Sequence, residues 1–259
     1  MKRLRLIIIG FGRMGQAIAR LARDDDRFDI AGAVTRSCTG GASASIPVLR
    51  ELPDAFDVAI DFSSVEGLLY WTPRVAERGA AIVNGVTGLD ETGHDCLLAA
   101  GRRVPTLWAP NMSVGVNVLL DLIGRAARAL PDWDAELIET HHRRKADAPS
   151  GTAMALLDAL LAARNVESSE VRHGRAPGAP PRQTQEVGVH AVRIGGIVGE
   201  HELRFGSEHE TITIAHQALS RDVFAGGALR AAAWITSRPP GLYGMRDVLG
   251  AETPDAAAT

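Results

Sequence analysis

The densest chemistry in the chain lies between Glu139 and Ala153, which read ETHHRRKADAPSGTA. A histidine can act as general acid or base near neutral pH, so His141 is the first candidate. Lys145, four residues on, can bind a carboxylate or give up a proton. Strand spacing and helical spacing both put this pair on one side, while His142 faces another way in a strand. Arg143 and Arg144 add positive charge. Ser150 suits the N-cap of a helix opening near Thr152, and Pro149 marks the turn before it. A helix start preceded by Ser150-Gly151 offers backbone N–H groups to an anion. A carboxylate is the natural ligand of this cluster. Adjacent strand histidines diverge, and no third ligand has suitable spacing, so no metal is expected. Plainer readings stand beside this one: Arg143 and Arg144 also fit a solvated face, Asp147 a partner for one of them, and His141 a buried hydrogen-bonded role.

A second candidate stands near the start. IIIGFGRMG places Gly10, Gly12 and Gly15 in GxGxxG spacing, directly after a strand-like run and opening a helix. Glycines there give the tight turn, close approach of a diphosphate, and helix–strand packing. The loop residues Gly10, Phe11, Gly12, Arg13 and Met14 are therefore expected to hold a dinucleotide at a helix N-terminus. The second strand ends in Thr35-Arg36, with no carboxylate to take a ribose 2′-hydroxyl. An arginine there suits a 2′-phosphate, so NADPH is favoured over NADH; the plain alternative is Arg36 in solvent. NGVTG (Asn84 to Gly88) and APNMS (Ala109 to Ser113) follow later strands and could flank the nicotinamide.

The elements that must position these groups change grammar midway. LRLIII, FDIAGAV, DVAIDF, AAIVN and VPTLWAP read as strands, alternating with helical RMGQAIARLAR, VEGLLYWTPRVAERG and ETGHDCLLAAGRR. Such alternation means βαβ units and a parallel sheet covered on both faces. Beyond Asn111, SVGVNVLLDLIGRAARAL is helical with Ser113 or Asn111 as cap, DAELIETHH alternates like a strand, and TAMALLDALLAAR is a helix. ESSEVRHGRAPGAPPRQTQ reads as an aperiodic loop. EVGVHAVRI, IVGEHELRF and ETITIAHQAL are three strands in a row, which points to a mixed or antiparallel sheet. RDVFAGGALRAAAWITSR closes with a helix in which Gly226-Gly227 allows close packing, and ETPDAAAT reads as a frayed tail. The expectation is an α/β protein: a dinucleotide-binding domain over 1–112, then an α+β domain over 113–222.

Composition bounds the function classes. The 259 residues carry a formal net charge of −3, which gives no basic face for nucleic acid. No run approaches the roughly 18 apolar residues of a membrane span, and MKRLRLIII is broken by Gly10 and Arg13 before it could serve as a signal. Cys38 and Cys96 are too few for a disulfide framework. A cytoplasmic enzyme is expected, with neither nucleic acid nor membrane as partner.

HHRRKADAPSGTA resembles the HHxxKxDAPSGTA signature of the 4-hydroxy-tetrahydrodipicolinate reductase family. GRMG, DVAIDFS, APNMSVGVN, GVHAVR, IVGEH, LSRDVFAGGALRAA and GLYGMRDVLG follow in that family's order. The resemblance implies a Rossmann-type domain over 1–112 and 223–259, joined to a substrate-binding and tetramerisation domain over 113–222 with a mixed sheet. It implies a homotetramer that reduces a cyclic dicarboxylate imine with NAD(P)H. His141 would be proton donor and acceptor, and Lys145 a proton donor. His142, Ser150, Gly151 and Thr152 would meet substrate. Gly85, Val86 and Thr87, with Ala109, Pro110, Asn111 and Met112, would line the nicotinamide. Three departures stand out: a glycine loop one residue shorter than GAxGRMG, Thr35 in place of an acidic residue, and Val86 for a common threonine. The alternatives are another two-domain amino-dicarboxylate dehydrogenase and an NADPH-binding sensor without turnover.

Overall fold

In β1 (Leu4–Ile9) every second side chain faces the opposite layer, and both layers are dry: Leu6 and Ile8 join one apolar cluster, Ile7 and Ile9 another. A strand buried on both faces belongs inside a parallel sheet. A computed structural model of the chain, described for residues 2–35, 46–167 and 170–250, places it there. With α1 (Arg13–Arg23), β2 (Phe28–Val34), β3 (Val48–Leu49), β4 (Val58–Asp61), α2 (Val65–Glu77), β5 (Ala81–Asn84), α3 (Glu91–Gly101) and β6 (Pro105–Trp108), it forms the first part of the chain. The second part holds α4 (Val114–Ala129), β7 (Asp134–His141), α5 (Gly151–Arg164), β8 (Val171–His173), β9 (Val187–Arg193), β10 (Gly199–Gly206) and β11 (Thr211–Ala218). α6 (Asp222–Ile235), β12 (Gly241–Tyr243) and α7 (Met245–Leu249) follow.

Gly115–Arg221 forms one compact unit, and the described residues before and after it form the other. The first unit's seven-stranded sheet has the order β12-β6-β5-β4-β1-β2-β3, parallel throughout. α1 and α6 cover one face through Ile18, Ala22, Ala225 and Ala232, and α2 and α3 the other through Trp71, Val75 and Ala100. Gly227 does pack tightly: a Cβ there would stand 1.7 Å from the Met112 carbonyl oxygen. Gly226 has nothing within 4 Å of such an atom.

The inserted unit's sheet runs β11-β10-β7-β9-β8 and is mixed: β7 pairs antiparallel with β10 and parallel with β9. Leu119 and Ile123 of α4 and Leu156 and Leu160 of α5 close one face of it over Leu137, Val189 and Phe205. On β9 the other face carries Val192, which is 40% exposed.

Four elements depart from the reading of the sequence. β8 lies inside the segment read as an aperiodic loop, where parallel pairing with β9 fixes three residues. β3 and β12 are short edge strands pairing with β2 and β6, and α7 is a five-residue helix near the end. The Thr/Ser/Gly-rich stretch after Thr35, Arg36 and Cys38 included, and the tail ETPDAAAT lie outside the described residues. No helix among the described residues is long and apolar enough to cross a membrane.

Candidate active site

Glu139 and His141 are two apart on β7, so their side chains point to one face, the one that helices cover. Glu139 is fully buried and His141 is 8% exposed. Glu139 Oε2 lies 2.5 Å from His141 Nδ1. The same carboxylate accepts two hydrogen bonds from Arg193, 2.7 Å to Oε1 and 2.8 Å to Oε2, because Arg193 stands opposite His141 in the parallel register with β9. Its Oε1 also accepts the Ser150 N–H at 3.0 Å, which ties the strand to the start of α5. Burial alone would push the Glu139 carboxyl upward. Arg193, His141 and the Ser150 N–H outweigh it and hold the group below its ordinary value.

Ser150 caps α5 as the sequence implies, its hydroxyl oxygen accepting from the Ala153 N–H at 3.1 Å. Its own proton is free to go to His201 Nε2, 3.2 Å away. Burial, then the His141 ring beside it at 5.2 Å between centroids, pushes His201 down to about 4. A neutral imidazole with an open Nε2 is the acceptor that hydroxyl needs. Gly151, exposed, and Thr152 head the helix, where the first N–H groups lie outside the helix's own ladder.

Lys145 enters differently from the expectation. β7 ends at His141, so neither strand nor helical spacing relates the two. A turn in which the Lys145 N–H donates to the His142 carbonyl (3.0 Å) carries the lysine instead. Its ammonium pairs with Asp147 at 2.8 Å, so Asp147 serves Lys145 and neither Arg143 nor Arg144, both of which are exposed. Arg193 reaches this loop too, donating to the Asp147 carbonyl at 2.5 Å. His142 is half-buried, with Arg221 Nη2 3.5 Å from its Nε2. Partial desolvation, then Arg144 and Arg221, lowers its pKa.

In the other unit the glycine loop is built as its spacing implies. Gly10 has φ +83°, where a side chain is strained, and a Cβ on Gly15 would meet the Gly10 carbonyl oxygen at 2.1 Å. Gly12, the N-cap of α1, has open space where its Cβ would be. A diphosphate fits there, against bare backbone and a helix N-terminus. A groove of about 520 Å³ gathers Gly10, Phe11, Gly12 and Thr35 with Phe62, Ser63, Ser64, Gly67 and Trp71. The last five were not singled out from sequence, although they follow the C-terminal end of a central strand, where open α/β sheets bind ligands. Arg13 is exposed, and Met14 packs partly into the core.

Beneath that loop Asp61 and Asn84 are register neighbours, both buried, with the Asn84 amide donating to Asp61 Oδ2 at 3.2 Å. Asp61 Oδ1 accepts the Ser63 N–H and Asn84 Oδ1 the Val86 N–H. Burial pushes Asp61 up to about 6 despite these bonds. The loops 85–87 and 109–112 thus leave adjacent strands, and Ala109 N–H bonds the Asn84 carbonyl. The Val86 side chain is buried with Leu68 and Leu97, and Thr87 and Pro110 are exposed. The Asn111 side chain accepts the Ser113 N–H ahead of α4 (2.9 Å), while the Met112 side chain lies in the core, so only its backbone can face a ligand.

Residues 4–112 match the family profile described as "Dihydrodipicolinate reductase, N-terminus", and residues 115–249 the one described as "Dihydrodipicolinate reductase, C-terminus". Over 247 residues the chain is 39% identical to a 4-hydroxy-tetrahydrodipicolinate reductase of Caldanaerobacter subterraneus subsp. tengcongensis, covering 95% of this chain and 98% of that one. The protein of that name in Thiobacillus denitrificans is 42% identical over 264 residues, with the same coverage of 95% and 98%. Among solved structures, a dipicolinate-bound dihydrodipicolinate reductase from Paenisporosarcina sp. TG-14 superposes with a TM-score of 0.79 at 23% identity, covering 95% of this chain and 99% of that one. A diaminopimelate dehydrogenase of C. glutamicum, solved with diaminopimelate, gives 0.56 at 16% identity, covering 98% and 97%. At such identities these two likenesses speak to the fold.

Proposed function

The chain belongs to the dihydrodipicolinate reductase family, and from that premise we propose that it reduces 4-hydroxy-tetrahydrodipicolinate to tetrahydrodipicolinate with NAD(P)H, in the diaminopimelate route to lysine. The observation that carries the reading is His141, held by a buried carboxylate beside the Ser150–Thr152 helix start and the Lys145 loop. In this reading the inserted unit binds substrate and the other binds cofactor. NAD(P)H supplies the hydride. Gly10, Phe11, Gly12, Arg13 and Met14 hold its diphosphate, and the loops 85–87 and 109–112 face its nicotinamide.

The residues of the inserted unit handle the rest of the reaction. Once the 4-hydroxyl has left as water, reduction at C4 of the unsaturated ring sends negative charge toward the ring nitrogen and C3, and His141 is the acid that meets it, with Lys145 a second proton donor. General acid catalysis of this kind contributes roughly 10²–10⁴-fold. One substrate carboxylate goes to the N–H groups of Gly151 and Thr152, with His142 beside it, which fixes the face of the ring. Lys145 leaves Asp147 for a carboxylate, an exchange made easy by Asp147 being more than half exposed. We further place the enzyme in the cytoplasm as a homotetramer: the inserted sheet has helices of its own unit on one face, leaving the other for a second copy. NADPH is the preferred cofactor, through Thr35 and Arg36 at the ribose.

The test is one absorbance trace. Purified protein, NADPH and the product of dihydrodipicolinate synthase should consume the NADPH band. Consumption only with diaminopimelate and the oxidised cofactor would favour the amino-dicarboxylate dehydrogenase reading. Binding without turnover would favour the sensor.

A further inference from the structure

Glu139 is assigned no substrate contact of its own, yet His141 and the start of α5 converge on it. The His141 ring, the Ser150 N–H and both terminal nitrogens of Arg193 reach its two oxygens. Through Arg193 it also reaches the Asp147 carbonyl, the residue whose side chain holds Lys145. Three donors other than the histidine point at this carboxylate, so its oxygens are acceptors. A hydrogen between Oε2 and Nδ1 then belongs to the ring nitrogen. The opposite edge of the ring lies over Gly199, where a Cβ would crowd Nε2 at 3.0 Å, so glycine gives that edge clearance.

We propose that Glu139, gripped by Arg193, is a positioning residue that keeps the His141 proton on Nδ1 and leaves Nε2 as the atom exchanging a proton with the substrate ring. The proposal rests on His141 being the proton donor. An acid must load and deliver its proton at one atom, and a ring free to turn or to change tautomer presents the wrong atom part of the time. Arg193 matters because it keeps Glu139 an acceptor in a buried place where a lone carboxylate would tend to take up a proton. The positioning pair thus lies in strands β7 and β9, outside the signature segment, which begins two residues after Glu139.

The experiment is ¹⁵N NMR of histidine-labelled protein at about pH 9, where an ordinary imidazole is neutral, with the His141 signals assigned by loss in His141→Gln. The parent should show Nδ1 protonated. Glu139→Gln should admit the Nε2–H form, because the new amide can donate to Nδ1. Its kcat should fall on the order of 10²-fold while KM for substrate changes only a few-fold. Glu139→Asp should restore part of both the signature and the kcat. An Nε2–H tautomer in the parent overturns the proposal, and so does a Glu139→Gln protein with the parent's ring shifts and full kcat. Should that variant fail to fold, the parent's own ring shifts still decide. A parent with Nδ1–H but no reductase activity overturns the assigned reaction alone, and the ring shifts then still support the positioning.

Discussion

Each unit of this chain buries a carboxylate near the C-terminal end of a strand, and the two are tuned in opposite directions. Asp61 is 1% exposed and Glu139 is 0% exposed. Asp61 has neutral partners, an amide and a backbone N–H, and burial carries it up to about 6. Glu139 has Arg193 and His141, and is held below its ordinary value in spite of burial. Near-zero exposure alone therefore does not decide the charge; the depth of protein around the group and the formal charge of its partners do. The contrast fits the division of work proposed above. A dinucleotide would be held by bare backbone and a helix N-terminus, so nothing under the glycine loop would have to carry charge. A proton donor needs a fixed ring, and an ionised carboxylate fixes it.

The sharpest way to break the comparison is to remove charge chemistry from one unit and read the other. His141→Ala should lose roughly 10²–10⁴-fold in kcat and leave the NADPH dissociation constant unchanged by fluorescence titration. Lys145→Ala should lower kcat and raise KM, because it also holds a carboxylate. Near-normal turnover in either would end the assignment of roles. A fall in cofactor affinity to match would show that the two units are not separate in function.

Acid separates the units next. Asp61 titrates near 6 folded against 3.8 for its ordinary value, so its stability contribution is fully present below 3.8 and is lost as pH rises through about 6. His201 is the reverse: its folded value of about 4 lies below 6.5, so its contribution is present above 6.5 and is lost as pH falls toward 4. Glu139, also depressed, adds its own loss only at lower pH. Moving from about pH 8 to about pH 5 should strengthen β4 and β5 by ~1 kcal/mol and weaken β7 and β10 by ~2 kcal/mol. Hydrogen exchange, corrected for intrinsic rates, should show amide protection diverging by about 10² between the two sheets. A parallel change in both would mean that the partners do not set these charges.

The smallest effect belongs to the cofactor's ribose. Arg36→Ala should raise KM for NADPH about tenfold, the scale of one charge-assisted hydrogen bond, and spare NADH. Equal effects on both cofactors would remove Arg36 from the 2′-position.

Much of this was legible in one sequence. α1 runs over the eleven residues of its periodic segment, and β1, β2 and the Ser150 cap fall where apolar runs and capping chemistry put them. What escaped depends on partners distant along the chain. β8 and β12 are three residues each and exist because β9 and β6 lie beside them. Arg193 and His201 became site residues through cross-strand register, which a lone sequence does not print. Glu139 did leave a signal: it stands two before His141 in an alternating run, hence on the same face. The spacing argument for Lys145 failed because the strand stops at His141, so no regular period carries on to the lysine.

The insertion of residues 115–221 has a consequence for how the chain is made. The inserted unit is continuous, so it can finish folding as soon as Arg221 has left the ribosome. Its host cannot. The face of the parallel sheet that carries Leu6, Ile8, Ile60 and Leu107 is closed by Ala225, Ala228 and Ala232 of α6, and the β6 edge is paired only when β12 arrives. Until then the first half of the protein waits with that face covered by α1 alone and part of it bare, the state in which nascent chains aggregate and recruit chaperones. A chain stalled just after Arg221 should resist brief proteolysis across 115–221 and be cut readily between residues 4 and 108; equal resistance in both stretches would mean that the host closes without its last helix.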